Sequence, residues 1–210
     1  MDKKYILLLI STISAIVLAI LFSSYTSQDN IGYKILYAIA TTGHTYIQGG
    51  DKILTLYFST NDIYSLLFIS FNLPQYLKNN FTVILKPIDM SDKSMLISCY
   101  ENITYDQLLS ILTNFTYAYE HSEDYVIKCF NSNQSKQYIL NNYEIFVGTR
   151  MLGTPAYFIV FKDGNITAIN ETLKTVGVYV NPVVYNDRYI MLLYGYLPTN
   201  ITERILSEIR

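Results

Sequence analysis

Tryptophan is absent from this 210-residue chain, and cysteine, histidine and proline number only two, two and five. Basic residues never cluster beyond Lys3-Lys4, and fifteen of them against seventeen acidic groups leave a net charge of −2. A surface without a basic stripe has nothing to neutralise a phosphate backbone, so nucleic acid is excluded as a partner. The two histidines offer little to a metal. His121 lies in Glu120-His121-x-Glu123-Asp124, with no second histidine at i+4 and no cysteine nearby, and reads as part of a solvated junction between helices. His44 sits in a stretch with three glycines, Gly43 to Gly50, and reads as a loop residue. No Ser/His/Asp order, no phosphate-type glycine loop and no paired carboxylates in an apolar frame stand out. The sequence therefore calls for no metal and no cofactor.

Apolar and aromatic surface is what the chain has in quantity. Half the residues are hydrophobic and 21 are tyrosine. A sizeable core is thus available, and tyrosine adds polar tips that suit a wetted surface or an interface. The length suits one domain with an insertion, or a domain plus an anchor. Met1-Asp-Lys-Lys4 precedes an uncharged run from Tyr5 to Phe22. At about 1.5 Å per residue, a helix over that run reaches ~27 Å, close to the ~30 Å hydrocarbon core. A secretory leader has a shorter apolar core and a small-x-small cleavage site, and Leu21-Phe22-Ser23-Ser24-Tyr25 is a poor one. Residues 1–4 are therefore read as a cytoplasmic tail, 5–22 as an uncleaved transmembrane anchor, 23–32 as a polar tether and 33–210 as an ectodomain. Lys3 and Lys4 hold the amino terminus inside the cell membrane, so the domain lies outside.

Asn-x-Ser/Thr sequons agree with that topology. Asn80, Asn102, Asn114, Asn133, Asn165, Asn170 and Asn200 each head one, all beyond the anchor. Chance would give roughly two or three among these asparagines, so the excess points to a glycoprotein whose acceptors lie at the surface.

After the tether, Tyr33 to Ala40 reads as an outer strand. Ile53–Phe58 and Phe81–Pro87 are mostly apolar and read as strands buried on both faces. Between them, the N-cap residues Ser59-Thr60-Asn61 open a helix from about Asp62 to Lys78, kinked by Pro74. Strand, helix and strand make a βαβ unit whose strands run parallel. From Ser91 to Phe146 the pattern is helical. Thr104-x-x-Gln107 is a capping box, and a further helix spans about Asn133 to Phe146. Ala156–Phe161 is another strand without polar alternation, preceded by Gly153-Thr154-Pro155. A proline belongs at such a strand's first position or edge, and local physics admits either isomer of the Thr154–Pro155 bond. Thr167 to Val184 reads as a β-rich excursion broken by Pro182. Tyr189–Tyr194 is the last core strand, and a closing helix covers about Thr199 to Ile209.

Gly153-Thr154-Pro155 and the strand after it resemble the cis-proline loop of the thioredoxin superfamily, in its DsbA-like branch. Tyr57-Phe58 before the helix start resembles the approach to that family's Cys-x-x-Cys site, Leu73-Pro74-Gln75-Tyr76 the kinked end of its helix, and Gly195-Tyr-Leu-Pro198 its ending. The resemblance covers about Gly43 to the end. It implies an α/β thioredoxin-like fold with a helical insertion at about 91–146, here preceded by one N-terminal transmembrane helix. The tetrad matching Cys-x-x-Cys is Asp62-Ile63-Tyr64-Ser65, so both thiols are missing. Helix macrodipoles lower the pKa of a thiolate in that place; Asp62 puts a carboxylate there, content electrostatically but unable to exchange disulfides. What the resemblance leaves is a surface. Thr154, before the cis-proline Pro155, would offer backbone groups to an extended polypeptide, with Asp62, Ile63, Tyr64 and Ser65 opposite. A groove covered by tyrosine-rich loops is the alternative.

Cys99 and Cys129 both fall in the helical insertion. Outside the cell two cysteines usually pair, and the expectation is a structural staple; a displaced redox pair is the other reading. Three functions follow: a redox-inactive binding or assembly module for envelope polypeptides, a thiol–disulfide oxidoreductase using Cys99 and Cys129, or a structural cell-surface subunit.

Overall fold

Three apolar runs become adjacent strands at the centre of one sheet. The computed structural model describes residues 31–210. β2 (Lys52–Phe58) lies between β3 (Phe81–Pro87), which runs parallel to it, and β4 (Ala156–Phe161), which runs antiparallel. β1 (Thr45–Ile47) adds to β3, while β6 (Arg188–Tyr194) and then β5 (Val183–Tyr185) extend the far side, giving the order β1-β3-β2-β4-β6-β5. Every residue of β4 is buried, as the absence of alternation requires of a strand covered on both faces.

One face carries Leu54, Leu56, Phe58, Leu85, Tyr157, Ile159 and Met191 into the main core. Helices cover it. The chain leaves β2 through α2 (Ile63–Leu67), passes one π-helical stretch, Phe68–Asn72, and continues as α3 (Leu73–Lys78). Phe68 packs on Tyr157 with ring centroids 4.6 Å apart, and Tyr76 meets Phe81 edge-on at 5.2 Å. α9 (Ile166–Lys174) and α10 (Thr199–Ser207) pack on each other on this side, α10 also against α3. The opposite face presents Tyr57, Phe158 and Lys86. Tyr57 lies 6.2 Å from Phe146 of α8 (Asn133–Gly148), and Thr55 Oγ1 donates to the Ala40 carbonyl at 2.7 Å.

The stretch 91–146 forms α4 (Asp92–Ile97), α5 (Tyr105–Thr113), α6 (Phe115–Glu120), α7 (Asp124–Phe130) and most of α8. The Thr104/Gln107 capping box closes reciprocally. Cys99 and Cys129 are joined, with Cα atoms 5.7 Å apart. Both sulfur-bearing residues are buried in the main core, at 2% and 9% exposed.

Three readings are corrected. First, residues 33–40 are helical, within a helical stretch 31–41 (α1). An apolar run of that length does not separate strand from buried helix by periodicity. Second, the outer strand at that side of the sheet is β1, set inside the glycine stretch 43–50. Its glycines permit the contact: a Cβ on Gly49 would sit 2.1 Å from the Phe81 carbonyl oxygen. Third, Thr167–Val184 begins as helix α9, not as strands. Asn165 Oδ1 caps it by accepting from Ala168 N at 3.2 Å, and buried Ile169 and Leu173 fall one turn apart, a helical spacing that outweighs the local β-branched content.

The structure divides into two compact units. Of Met1–Tyr37, residues 31–37 are described and are helical; Ala38–Arg210 holds every strand among the described residues. The expected tail and anchor, residues 1–4 and 5–22, lie outside the described residues. Among those described, no helix is long and apolar enough to cross a membrane.

Candidate functional site

The site forms where β2 gives way to α2. The first turn of a helix has backbone N–H groups without intrahelical partners, and Asp62 supplies the acceptor. Its Oδ1 accepts from Tyr64 N at 3.3 Å, and its Oδ2 accepts from Ser65 N at 3.0 Å and Ser65 Oγ at 2.7 Å. The same Oδ2 accepts from Thr154 Oγ1 at 3.0 Å. Ninety-two residues apart in sequence, Asp62 and Thr154 therefore meet directly. The geometry follows from the sheet: β2 and β4 are antiparallel with Tyr57 opposite Ala156, so the loop leaving β2 arrives beside the loop entering β4.

The Thr154–Pro155 peptide is cis. Pro155 itself is buried, and its carbonyl accepts from Gly195 N at 2.7 Å. Among the described residues, neither the backbone N–H nor the carbonyl of Thr154 has a hydrogen-bond partner. Thr154 as a residue is half-buried, and accessible backbone groups without a partner can accept an added strand. Around them stand exposed apolar side chains: Ile63 and Tyr64 on the first turn of α2, Leu152 at 87% exposed, and Tyr194, paired with Ala156 in the β4–β6 ladder. Sequence reasoning misses Leu152 and Tyr194. Tyr194 is placed by a register that only the sheet fixes, and Leu152 lies outside any repeating pattern. Ser65 is buried and serves the capping network, so it belongs to the frame and not to the exposed surface.

A second network holds the loop before Asp62. The Asp89 carboxylate accepts from Thr60 N at 2.8 Å, Thr60 Oγ1 at 2.9 Å, Ser94 Oγ at 2.7 Å and Asn61 Nδ2 at 3.2 Å. Burial pushes the Asp89 carboxyl up, but hydrogen bonds from Ser91, Ser94 and Thr60 outweigh it and hold the group below its ordinary value. The ionised carboxylate thereby ties residues 60–61 to the start of α4. Beneath the site, buried Lys86 donates to Tyr57 Oη at 3.0 Å and to the Ile39 carbonyl at 3.1 Å. Burial pulls its ammonium down to about 8.

Chemically, the tetrad Asp62–Ser65 carries no thiol. Asp62 engages three donors through Oδ2, and the two cysteines are bonded to each other in the core. Among the described residues, no group of three His, Cys, Asp or Glu could hold a metal ion.

This sheet order, the cis peptide before β4 and the helical insertion between β3 and β4 define the class: the chain has a thioredoxin-like fold of the DsbA type. Similar solved structures include Wolbachia pipientis alpha-DsbA1, in a variant with two of its cysteines replaced by alanine. It is 14% identical, with a TM-score of 0.50 over 77% of this chain and 90% of that one. The catalytic domain of Proteus mirabilis ScsC is 14% identical, with a TM-score of 0.45 over 82% and 95%. A periplasmic thioredoxin-like protein from Salmonella enterica serovar Typhimurium is 14% identical, with a TM-score of 0.43 over 83% and 97%. No protein-family model matches the sequence, and no curated protein matches it.

Proposed function

We propose that the protein is a membrane-anchored, extracytoplasmic binding module that holds extended polypeptide segments without exchanging disulfides. The observation that carries this reading is the unpaired backbone of Thr154 beside a carboxylate-capped helix start, flanked by exposed Ile63, Tyr64 and Leu152. A polypeptide strand pairing with Thr154 gains main-chain hydrogen bonds, and side chains on alternate positions gain the apolar flanks. Residues 5–22 supply the anchor in this reading, with Lys3 and Lys4 inside the membrane and the sequons outside. Six of the seven sequon asparagines are exposed, in keeping with glycan acceptors; Asn170 is half-buried with its Oδ1 enclosed and unpartnered.

The test is binding of unstructured peptides to the full-length chain in detergent. Thr154→Arg, which fills the groove, and Tyr64→Ala are expected to weaken binding at least tenfold. Unchanged affinity in both would remove the reading. Membrane fractionation of the full chain, and of one lacking residues 5–22, tests the anchor.

The insertion's disulfide favours one further reading, thiol–disulfide exchange through Cys99 and Cys129. Against it stand their burial and their places at helix ends and not helix starts, Cys99 just past α4 and Cys129 in the last turn of α7. An insulin-reduction assay separates the two: turnover that disappears in Cys99→Ala would favour the enzyme.

A further inference from the structure

The helical insertion carries a second site, away from the Thr154 groove. α5 and α6 meet at Asn114, and between them opens a cleft of about 230 Å³. Its walls are held firmly. α5 starts at the Thr104/Gln107 capping box, α6 is capped by Asn114 Oδ1 accepting from Tyr117 N at 3.4 Å, and the Cys99–Cys129 bond pins the chain beside Tyr100 on the floor.

The lining combines one aromatic platform with polar groups that donate and groups that accept. The Tyr117 ring, 53% exposed, stacks on His121 at 4.0 Å between centroids, and His121 Nδ1 engages the Tyr117 carbonyl at 2.8 Å. The second imidazole nitrogen is left over. Tyr100 is fixed by a 2.8 Å bond between its hydroxyl and Ser122 Oγ. Three more groups have no hydrogen-bond partner among the described residues: the Asp106 carboxylate, the Gln107 Nε2 amide and the Ser110 hydroxyl. Gln107 is half-committed, since its Oε1 accepts from Thr104 N at 2.8 Å, which leaves the NH₂ end as a donor of fixed orientation.

We propose that this cleft binds a single neutral saccharide ring. The C–H face of a pyranose suits the electron-rich face of a tyrosine. Vicinal hydroxyls both donate and accept, and so match a carboxylate next to an amide N–H and a hydroxyl. A bare ammonium ligand would use Asp106 and the ring faces but leave the Gln107 and Ser110 donors without acceptors. An anionic sugar would face Asp106 with no lysine or arginine in the lining. The volume lies below the ~300 Å³ where drug-sized pockets begin, enough for one ring and not for an oligosaccharide. A ligand of that size in a shallow cleft binds with a dissociation constant on the order of 1 mM.

The test is saturation-transfer NMR and chemical-shift titration of the full-length chain, made without glycosylation, against the methyl glycosides of glucose, mannose, galactose and N-acetylglucosamine. At least one is expected to saturate the cleft, with Tyr117→Ala and Asp106→Asn each weakening it tenfold or more and Tyr117→Phe nearly neutral. Thermal unfolding of the variants, measured alongside, is expected to stay near the parent. The proposal is overturned if no glycoside gives saturable shifts at Tyr117 and His121. It is equally overturned if choline or Nα-acetyl-lysine amide binds there in place of all four, or if Tyr117→Ala leaves saccharide binding unchanged.

Discussion

At the scale of single residues, Asp62 and Lys86 set the character of the site, one above the sheet's end and one beneath it. Asp62 is the first residue of the tetrad that resembles Cys-x-x-Cys, and there it serves as a cap and a clasp on Thr154. Lys86 is a buried ammonium held by two oxygens, with no carboxylate partner among the described residues. Its ionisation is linked to folding. In the unfolded chain it titrates at its ordinary value, near 10.5, whereas burial draws it to about 8 in the fold. Between those values the unfolded chain holds more protons, so stability rises with pH. Below about 8 both states carry the proton and the contribution of this group is flat. Above about 10 the trend reverses, because burial keeps Tyr57, Tyr76 and Tyr157 protonated in the fold while the unfolded chain releases those protons. Urea unfolding between about pH 8 and about pH 9.5 is expected to show a rise of up to about 1.4 kcal/mol per pH unit from Lys86. In Lys86→Met that rise disappears, whatever the variant's absolute stability; an unchanged slope would contradict the assignment.

Among the elements, the helix after β2 shows how a sequence defect is repaired by a distant part of the chain. Pro74 has no N–H. In the π-helical turn, Leu73 N donates to the Phe68 carbonyl, so the next bond in the series would have reached Ile69 O. The hydroxyl of Tyr105, on α5, donates to Ile69 O at 3.1 Å instead. Tyr105→Phe should therefore cost about 1–2 kcal/mol of unfolding free energy, read as a shift of the urea midpoint with no change in slope. The same helix start allows a gain-of-function test. Asp62→Cys combined with Ser65→Cys restores two thiols at the helix amino terminus, beside Thr154. This variant is expected to reduce insulin and the parent is expected not to.

Legibility differs from element to element. β2, β3 and β4 are readable because strands buried on both faces have no alternation, and the α5 start because a capping box needs two named residues. Residues 33–40 mislead since Tyr33, Ile35, Leu36 and Tyr37 satisfy a strand as well as a helix. α9 misleads because its threonines and isoleucines hide the spacing of Ile169 and Leu173. At the site, Thr154 and Asp62 emerge through resemblance, and local chemistry alone names only the cap. Leu152 and Tyr194 become visible once register is known, since their neighbours lie in other segments.

For the whole molecule, one fold carries the two proposed binding surfaces, around Thr154 and in the α5–α6 cleft, and the disulfide belongs to the scaffold of the second. Its 30-residue separation gives a stabilisation of roughly 3–4 kcal/mol in the chain-entropy model. Cys99→Ala with Cys129→Ala is expected to lower the melting temperature while leaving peptide binding at the groove intact. Loss of peptide binding in a variant that stays folded would tie the cysteines to function instead.

The proposed function requires an extended polypeptide to pair with the backbone of Thr154 without disulfide exchange. Hydrogen–deuterium exchange of the full-length chain, with and without a saturating unstructured peptide, tests it most directly. Slowed exchange is expected to be confined to the segment around Leu152–Pro155 and the first turn of α2, with Cys99 and Cys129 still joined after binding. Protection elsewhere with none at Thr154, or a mixed disulfide between the peptide and either cysteine, would contradict it.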